Sequence, residues 1–408
     1  MVLNEFSLFL DNAVGIPGSS RYIGIVIVIL LGNWWMNNNN TSNKDNERKQ
    51  YAPFPSSIAS DVTAVIDKEV EKETTNSNYL QTSTRKIISK LNREELILGI
   101  LIGKGSFCEI RLVETIQQKQ QQQKQQPSSG VTSKKFPVVI KHLCPTLLKD
   151  KEEFQKSAVE LILEAKYLST FDHPNIISLR GVSQDGAKSY LDGYHDSFFF
   201  VMDRIQYTLF DRLKQWNTTT TNEVKHDTVI TLKERLQIIA DLAGAMEYLH
   251  KRNLVYRDSK PSNIGFDYKG NVKLIDFGLL AEIPKDPGYL IRRTGTLRYM
   301  APECCLGKYD CKADVYSVTA ILWELLSLRE YLGNLSSLDH VKTILRGDRE
   351  TLLEEEWSAD VCAIIKEGWD GNPNQRLNMH TLHKKLMNQI QNMNDNEDDN
   401  IENDKNAE

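Results

Sequence analysis

The period of the apolar residues changes along this chain, and that change bounds the folds open to it. From Glu94 to Lys141 the segments ELILGILIG, EIRLVET and FPVVIKHL read as strands. Phe154, Ala158, Leu161, Ala165 and Leu168 then step by four and three, the spacing of one helix face. SFFFVMDRI is strand-like again, and from Leu232 onward the pattern is mainly helical, as in LKERLQIIADLAGAMEYLHKRN. A small β-rich half followed by a larger helical half is an α+β, bilobal layout with a cleft between the lobes. With 408 residues the chain is long enough to build both.

The flanks read differently. In the N-terminal segment, residues 1–36, the run from Tyr22 to Gly32 is strongly apolar, and Trp34 and Trp35 follow it. That run is shorter than the ~20 apolar residues of a membrane-spanning helix. The residues before Arg21 carry Glu5 and Asp11 rather than the basic start of a secretory signal. Membrane association through residues 22–36, a buried strand and a misplaced start of the reading frame stay open as readings. Residues 37–93 are rich in Asn, Ser, Thr and charge, a composition that buries too little to offset ordering, so a disordered polar linker is expected. The acidic, Asn-rich tail at 391–408 is expected to be disordered on similar grounds. Two polar inserts, Ile116 to Gly130 and Asn217 to Asp227, look like loop expansions within a folded domain spanning 94–390. A net charge of −5 gives no basic footprint for nucleic acid and no polybasic membrane patch. Cys108, Cys144, Cys304, Cys305, Cys311 and Cys362 show neither metal-ligand spacing nor a disulfide framework, so a reducing, cytoplasmic compartment is expected.

Within the folded domain, three groups of residues carry chemistry suited to moving a phosphoryl group: a cradle for phosphates, hard-oxygen metal ligands and a group that orients a hydroxyl. Gly103-Lys104-Gly105-Ser106-Phe107-Cys108-Glu109-Ile110 lies between two strands, where glycines let a backbone approach phosphates; a plain tight hairpin reads equally well. Lys141 ends the strand PVVIK, and Glu164 or Glu160 on the following helix could hold its ammonium. Tyr256-Arg257-Asp258-Ser259-Lys260-Pro261-Ser262-Asn263 is followed closely by Asp276-Phe277-Gly278. Asp258 can take or orient a hydroxyl proton and Lys260 can neutralise a phosphate. Asn263 and Asp276 offer oxygen ligands of the kind Mg²⁺ prefers.

Taken together, these motifs resemble the eukaryotic protein kinases over roughly Glu94 to Ile390. GKGSFCEI is similar to the glycine-rich loop, VVIK to the nucleotide-lysine strand, YRDSKPSN to the catalytic loop, and Ala301-Pro302-Glu303 to the end of the activation segment. The resemblance implies a bilobal kinase-like fold, with an N-lobe at about 94–203 and a C-lobe at about 206–390. It implies ATP binding by Gly103, Lys104, Gly105, Ser106, Phe107, Cys108 and Ile110 of the loop, and by Val139 and Lys141. Counting back from Pro174, as in the family, selects Glu164 as the partner of Lys141. Met202 falls at the gatekeeper position, and Asp203 to Ile205 form a hinge that holds adenine through its backbone. Asn263 and Asp276 would hold Mg²⁺, Asp314 would anchor the catalytic loop, and Arg376 would pair with Glu303.

Lys260, two residues after Asp258, resembles serine/threonine kinases, as does Gly295-Thr296-Leu297-Arg298-Tyr299; Thr296 is expected to bond Asp258 and Lys260. DVYSVTAILWELLS is reminiscent of the tyrosine-kinase-like branch. Four departures stand out: Cys108 for the third glycine, Ser259 for the usual leucine, Gly265 where a bulky residue usually underlies adenine, and Tyr256 for histidine. None removes a charged catalytic group. The resulting expectation is a kinase that phosphorylates Ser or Thr of protein substrates, the alternative being a pseudokinase scaffold. The resemblance implies that Arg257 would bind a phosphate on the activation segment, with Thr294 as the expected acceptor for an upstream kinase and Tyr289 the less favoured one; Arg292, Arg293 and Arg298 as a merely solvated basic loop is the other reading.

Overall fold

The computed structural model describes residues 51–116, 137–219, 230–333 and 335–407. The apolar stretch at 22–36 and most of both polar inserts lie outside them. Among the described residues, no helix is long and apolar enough to cross a membrane.

Two helices come first, α1 (Ser56–Asn76) and α2 (Asn78–Thr82), followed by strands β1 (Ser89–Leu91), β2 (Leu96–Lys104), β3 (Cys108–Ile116) and β4 (Val138–Leu143). Helix α3 (Lys151–Leu168) precedes β5 (Leu179–Ser183) and β6 (Phe199–Asp203). These strands form one sheet in the order β1-β5-β6-β4-β3-β2, in which β1 runs parallel to β5. Alternation along β4 and β6 supplies two apolar faces. Ile140, Phe199 and Val201 pack with Leu96 and Val113 on one side, while Val139, Leu143, Phe200 and Met202 join the main core with α3 on the other. The side chain of Asp150 caps α3 by accepting from the backbone N–H groups of Glu152 and Glu153.

The second lobe opens with β7 (Tyr207–Thr208), α4 (Leu209–Thr219) and α5 (Leu232–His250), the last started by a Thr231–Glu234 capping box. Short strands carry the chain along the cleft: β8 (Leu254–Val255), β9 (Ile264–Phe266), β10 (Val272–Leu274), β11 (Ala281–Glu282) and β12 (Leu290–Ile291). Then come α6 (Pro302–Leu306), β13 (Lys308–Tyr309), α7 (Lys312–Ser327), α8 (Ser337–Arg346), α9 (Ala359–Gly368) and α10 (Met379–Ala407). Helix α7 is buried on nearly every side from Ala313 to Leu326, so it is the post around which this lobe packs.

The structure corrects two expectations at the flanks. The segment expected to be a disordered linker holds α1, α2 and β1. Ala59, Val62, Ile66 and Val70 recur every three or four residues, forming one buried stripe that packs against α3 and the turn at Gly186–Asp192. Four apolar residues suffice because they fall on one face, a property that mean composition averages away. The tail expected to be disordered continues α10 as helix to Ala407. It holds no Pro or Gly to end the helix that begins at Met379.

Candidate active site

The β2–β3 hairpin pairs Gly103 with Ile110, and the N–H of Gly105 donates to the carbonyl of Cys108 at 2.9 Å. A Cβ built on Gly103 or Gly105 would come no nearer than 3.7 Å to any other protein atom. The protein itself therefore leaves the space that phosphates would need, as a nucleotide cradle requires. Ser106 and Phe107 form the tip, and the ammonium of Lys104 is turned onto Glu109 at 2.9 Å. Burial pushes the Cys108 thiol up to about 12, although Lys141 pulls the other way. Cys108 is thus a neutral thiol at physiological pH, not a nucleophilic thiolate.

Lys141, on β4, sits opposite Phe200 in the sheet and reaches under this hairpin. Its Nζ donates to Glu164 Oε1 at 2.9 Å, to Glu164 Oε2 at 2.7 Å and to Asp276 Oδ1 at 3.0 Å. Burial works against the ammonium, but the carboxylates of Asp276 and Glu164 outweigh it and hold its pKa above the usual value. Burial pushes the Glu164 carboxyl upward against the pull of Lys141, whereas Lys141 holds Asp276 below its ordinary value. Glu164 also accepts from the backbone N–H of Phe277 at 3.1 Å, tying α3 to the Asp276-Phe277-Gly278 turn. Of the two glutamates on this helix, Glu164 is therefore the one that reaches Lys141. Glu160 lies half-buried a turn away.

The segment Tyr256–Asn263 connects β8 to β9. Arg257 (φ 73°) and Asp276 (φ 61°) occupy the left-handed region, which costs a non-glycine residue about 1–3 kcal/mol. Asp314, at the start of α7, offsets that cost. Its carboxylate accepts from the backbone N–H of Tyr256 at 2.8 Å and of Arg257 at 2.9 Å, and lies 2.9 Å from His250 Nε2. So anchored, the loop presents Asp258, whose carboxylate receives three donors: Thr296 Oγ1 at 2.6 Å, Lys260 Nζ at 2.7 Å and Asn263 Nδ2 at 2.9 Å. No Thr296–Lys260 bond accompanies them among the described residues. Gly295 (φ 113°) lets the activation segment lie this close, since a Cβ there would sit 2.2 Å from the carbonyl oxygen of Arg257.

Because Asn263 turns its Nδ2 toward Asp258, its Oδ1 remains for another partner, and Asp276 lies within reach of Lys141 with about half of its side chain open to solvent. A hard divalent cation fits such a pair of oxygen donors, with water and phosphate completing its shell. Met202 lies on β6, and the Asp203 carboxylate is held by Arg180 at 2.7 Å through two bonds. Among the described residues no hydrogen bond uses the backbone N–H of Ile205. A Cβ on Gly265 would fall 2.6 Å from Ile205 Cγ2, so the Ile205 side chain already fills the space that a larger residue at 265 would take.

Below the cleft, Arg376 is buried and forks onto Glu303 at 2.5 and 3.0 Å. Thr294 is half-buried, and no bond joins it to Arg257, whose Nε instead donates to the carbonyl of Leu279. Tyr289 packs under the ammonium of Lys308 at 5.3 Å. Sequence reasoning missed His250, whose place at the end of an amphipathic helix resembles any C-terminal helix histidine.

Residues 129–387, well over half of the chain, match the protein kinase domain family, and the match begins after the glycine-containing hairpin. The chain is also similar to curated proteins. It is 30% identical over 174 residues to Serine/threonine-protein kinase STY17 of Arabidopsis thaliana, covering 42% of this chain and 30% of that protein. Over 307 residues it is 27% identical to Tyrosine-protein kinase Fer of Mus musculus, covering 72% of this chain and 31% of that one. Over 251 residues it is 29% identical to Dual serine/threonine and tyrosine protein kinase of Canis lupus familiaris, covering 59% and 24%. The matched region spans less than a third of each relative's own length.

Proposed function

Since the chain belongs to the protein kinase family, we propose that it transfers the γ-phosphate of ATP to serine or threonine hydroxyls of protein substrates. One observation carries the reading: the Asp258 carboxylate is held by Thr296, Lys260 and Asn263, across the cleft mouth from a Lys141 already paired with Glu164. Every charged group that phosphoryl transfer needs is in place, which favours an enzyme over a nucleotide-binding scaffold.

In this reading the backbone of Asp203 and Ile205 holds adenine, with Val139 and Ile110 packing on the ring. The loop from Gly103 to Cys108 covers the phosphates. Lys141, kept charged by Glu164 and Asp276, neutralises and orients them. The substrate hydroxyl lies against Asp258, which fixes its direction and receives its proton, while Lys260 offsets charge growing on the transferred group. A divalent cation such as Mg²⁺, held by Asn263 and Asp276, would supply further neutralisation of the phosphates. Support for Ser/Thr over Tyr comes from Lys260 and from the Thr296–Asp258 bond at 2.6 Å. The named relatives include enzymes of serine/threonine, tyrosine and dual type, so the acceptor is the point to test. Phosphorylation of a generic basic protein with Mg²⁺ and ATP is compared for wild type and Asp258→Asn. The variant is expected to fall by ~10²–10⁴, and acid hydrolysis of the product should release phosphoserine or phosphothreonine. Phosphotyrosine alone would overturn the acceptor assignment, and equal rates in both proteins would overturn the catalytic one.

A further inference from the structure

Residues 54–86 run along the whole outer side of α3, the helix that carries Glu164. At its start Phe54 meets Phe154 edge to face at 5.1 Å between centroids, and the N–H of Phe54 donates to the carbonyl of Gly193 at 3.0 Å. Along its middle lies the buried stripe of α1, and Lys166 donates to Thr74 Oγ1 at 3.0 Å. At its end the Tyr79 ring stacks on Tyr167 at 6.2 Å, its hydroxyl lies 3.0 Å from Thr170 Oγ1, and the N–H of Lys86 donates to the carbonyl of Ser169 at 2.8 Å.

The same segment touches the activation segment. Glu282, on β11 four residues past Gly278, accepts from Ser77 Oγ at 2.6 Å and from the N–H of Tyr79 at 3.1 Å. The Tyr79 ring also begins a line of aromatic contacts through Phe171 (6.3 Å) to Phe277 (5.4 Å) and on to Tyr256 (5.5 Å). Phe277 follows Asp276 and Tyr256 stands two residues before Asp258, so the line ends in the two segments that carry these carboxylates. Burying the Lys141–Glu164 pair carries a desolvation cost, so contacts on the far side of α3 add to the bonds from Lys141 and the N–H of Phe277 in holding the helix inward.

We propose that residues 54–86 are a positioning element of the active site, with Tyr79 and the Ser77–Glu282 latch as its positioning residues. They hold α3 inward so that Glu164 stays on Lys141, and they couple that position to the start of the activation segment. The chain thereby carries within itself the support that lets Lys141 orient phosphates. This rests on the kinase reading above for its effect on rate, though not for its effect on α3.

The test uses the full chain with Tyr79→Ala, with Ser77→Ala/Glu282→Gln, and each of these combined with Glu164→Gln. Rate and amide exchange across α3 are both measured. In the otherwise wild-type chain each change should lower kcat by about tenfold with the KM for ATP altered less than about threefold, and should speed exchange from Ser157 to Leu168. In the Glu164→Gln chain the same changes should cost less than about twofold in kcat, since the contact through which they act is already gone. Equal losses in both backgrounds would assign these residues a merely structural role and overturn the proposal. Unchanged α3 exchange in the latch variant would overturn it whether or not the wild type phosphorylates anything. A chain without kinase activity whose α3 exchange still accelerates would leave the positioning intact and sink only the functional reading.

Discussion

Ser259 offers the sharpest test of the energetics. It follows Asp258, is 2% exposed, and its Oγ has no hydrogen-bond partner among the described residues. In the unfolded chain that hydroxyl is hydrated; folding strips the water and returns nothing, at a cost of about 1–3 kcal/mol. Ser259→Ala removes the cost. It also removes one heavy atom from a packed site, forfeiting about 0.5–1 kcal/mol on the scale of a buried methyl deletion. The balance runs from no change to a stabilisation of about 2.5 kcal/mol, or up to roughly 10 °C in Tm at ~2–4 °C per kcal/mol for a domain of this size. Urea and thermal unfolding of the full chain measure it, and the rate of phosphorylation should stay within about twofold because no reacting group changes. Destabilisation by 1 kcal/mol or more would refute the reasoning, since it would mean that the hydroxyl is satisfied by a buried water that Ala strands.

Two further outcomes concern buried charge. Arg376→Ala leaves Glu303 buried without its cation and should cost about 3–5 kcal/mol in urea unfolding, while the apolar pair Arg376→Met/Glu303→Leu should cost far less. Burial raises the Glu324 carboxyl from 4.5 to about 7, opposed by the hydroxyl of Tyr299 that donates to it at 2.8 Å. The folded state then holds a proton more tightly than the unfolded one, so this contribution is whole below the lower value and is lost as pH rises toward the higher. Relative to Glu324→Gln, the wild type should lose about 3 kcal/mol of stability across that window, and parallel curves for the two proteins would contradict the assignment.

What could be read in the sequence followed chemistry. Lys141, Asp258, Asn263 and Asp276 stand out because phosphoryl transfer prescribes their residue types and the resemblance to protein kinases their order, and the structure gathers them around one cleft. Glu164 could not be separated from Glu160 by helix period alone, since both border the apolar stripe; the bond to the N–H of Phe277, more than a hundred residues away in sequence, marks the difference. The bilobal fold was legible for a similar reason, as long runs of one hydrophobic period average out local exceptions. Residues 51–91 were misread because their order comes from partners elsewhere in the chain. Ser77 and Tyr79 acquire meaning only beside Glu282, and β1 only beside β5, and neither pairing leaves a local trace. Gly265 shows the same limit on a smaller scale: its missing side chain is made good by Ile205, sixty positions earlier.

The latch also sets a clock on how the chain is made. Synthesis runs from the N-terminus, so α1 and Tyr79 leave the ribosome before α3, β5 and the turn at Gly186–Asp192, and well before Glu282. At ~5–20 residues per second, the roughly 190 residues between Leu91 and Glu282 take about 10–40 s to appear. The apolar stripe of α1 waits for about 5–20 s of it, the time in which the roughly 100 residues from Leu91 to Asp192 appear with α3 and the turn that cover it. It docks first on a half-built lobe and latches only when the activation segment arrives. The first part of the described chain to be made is thus fastened only once the second lobe has come far enough to deliver Asp276.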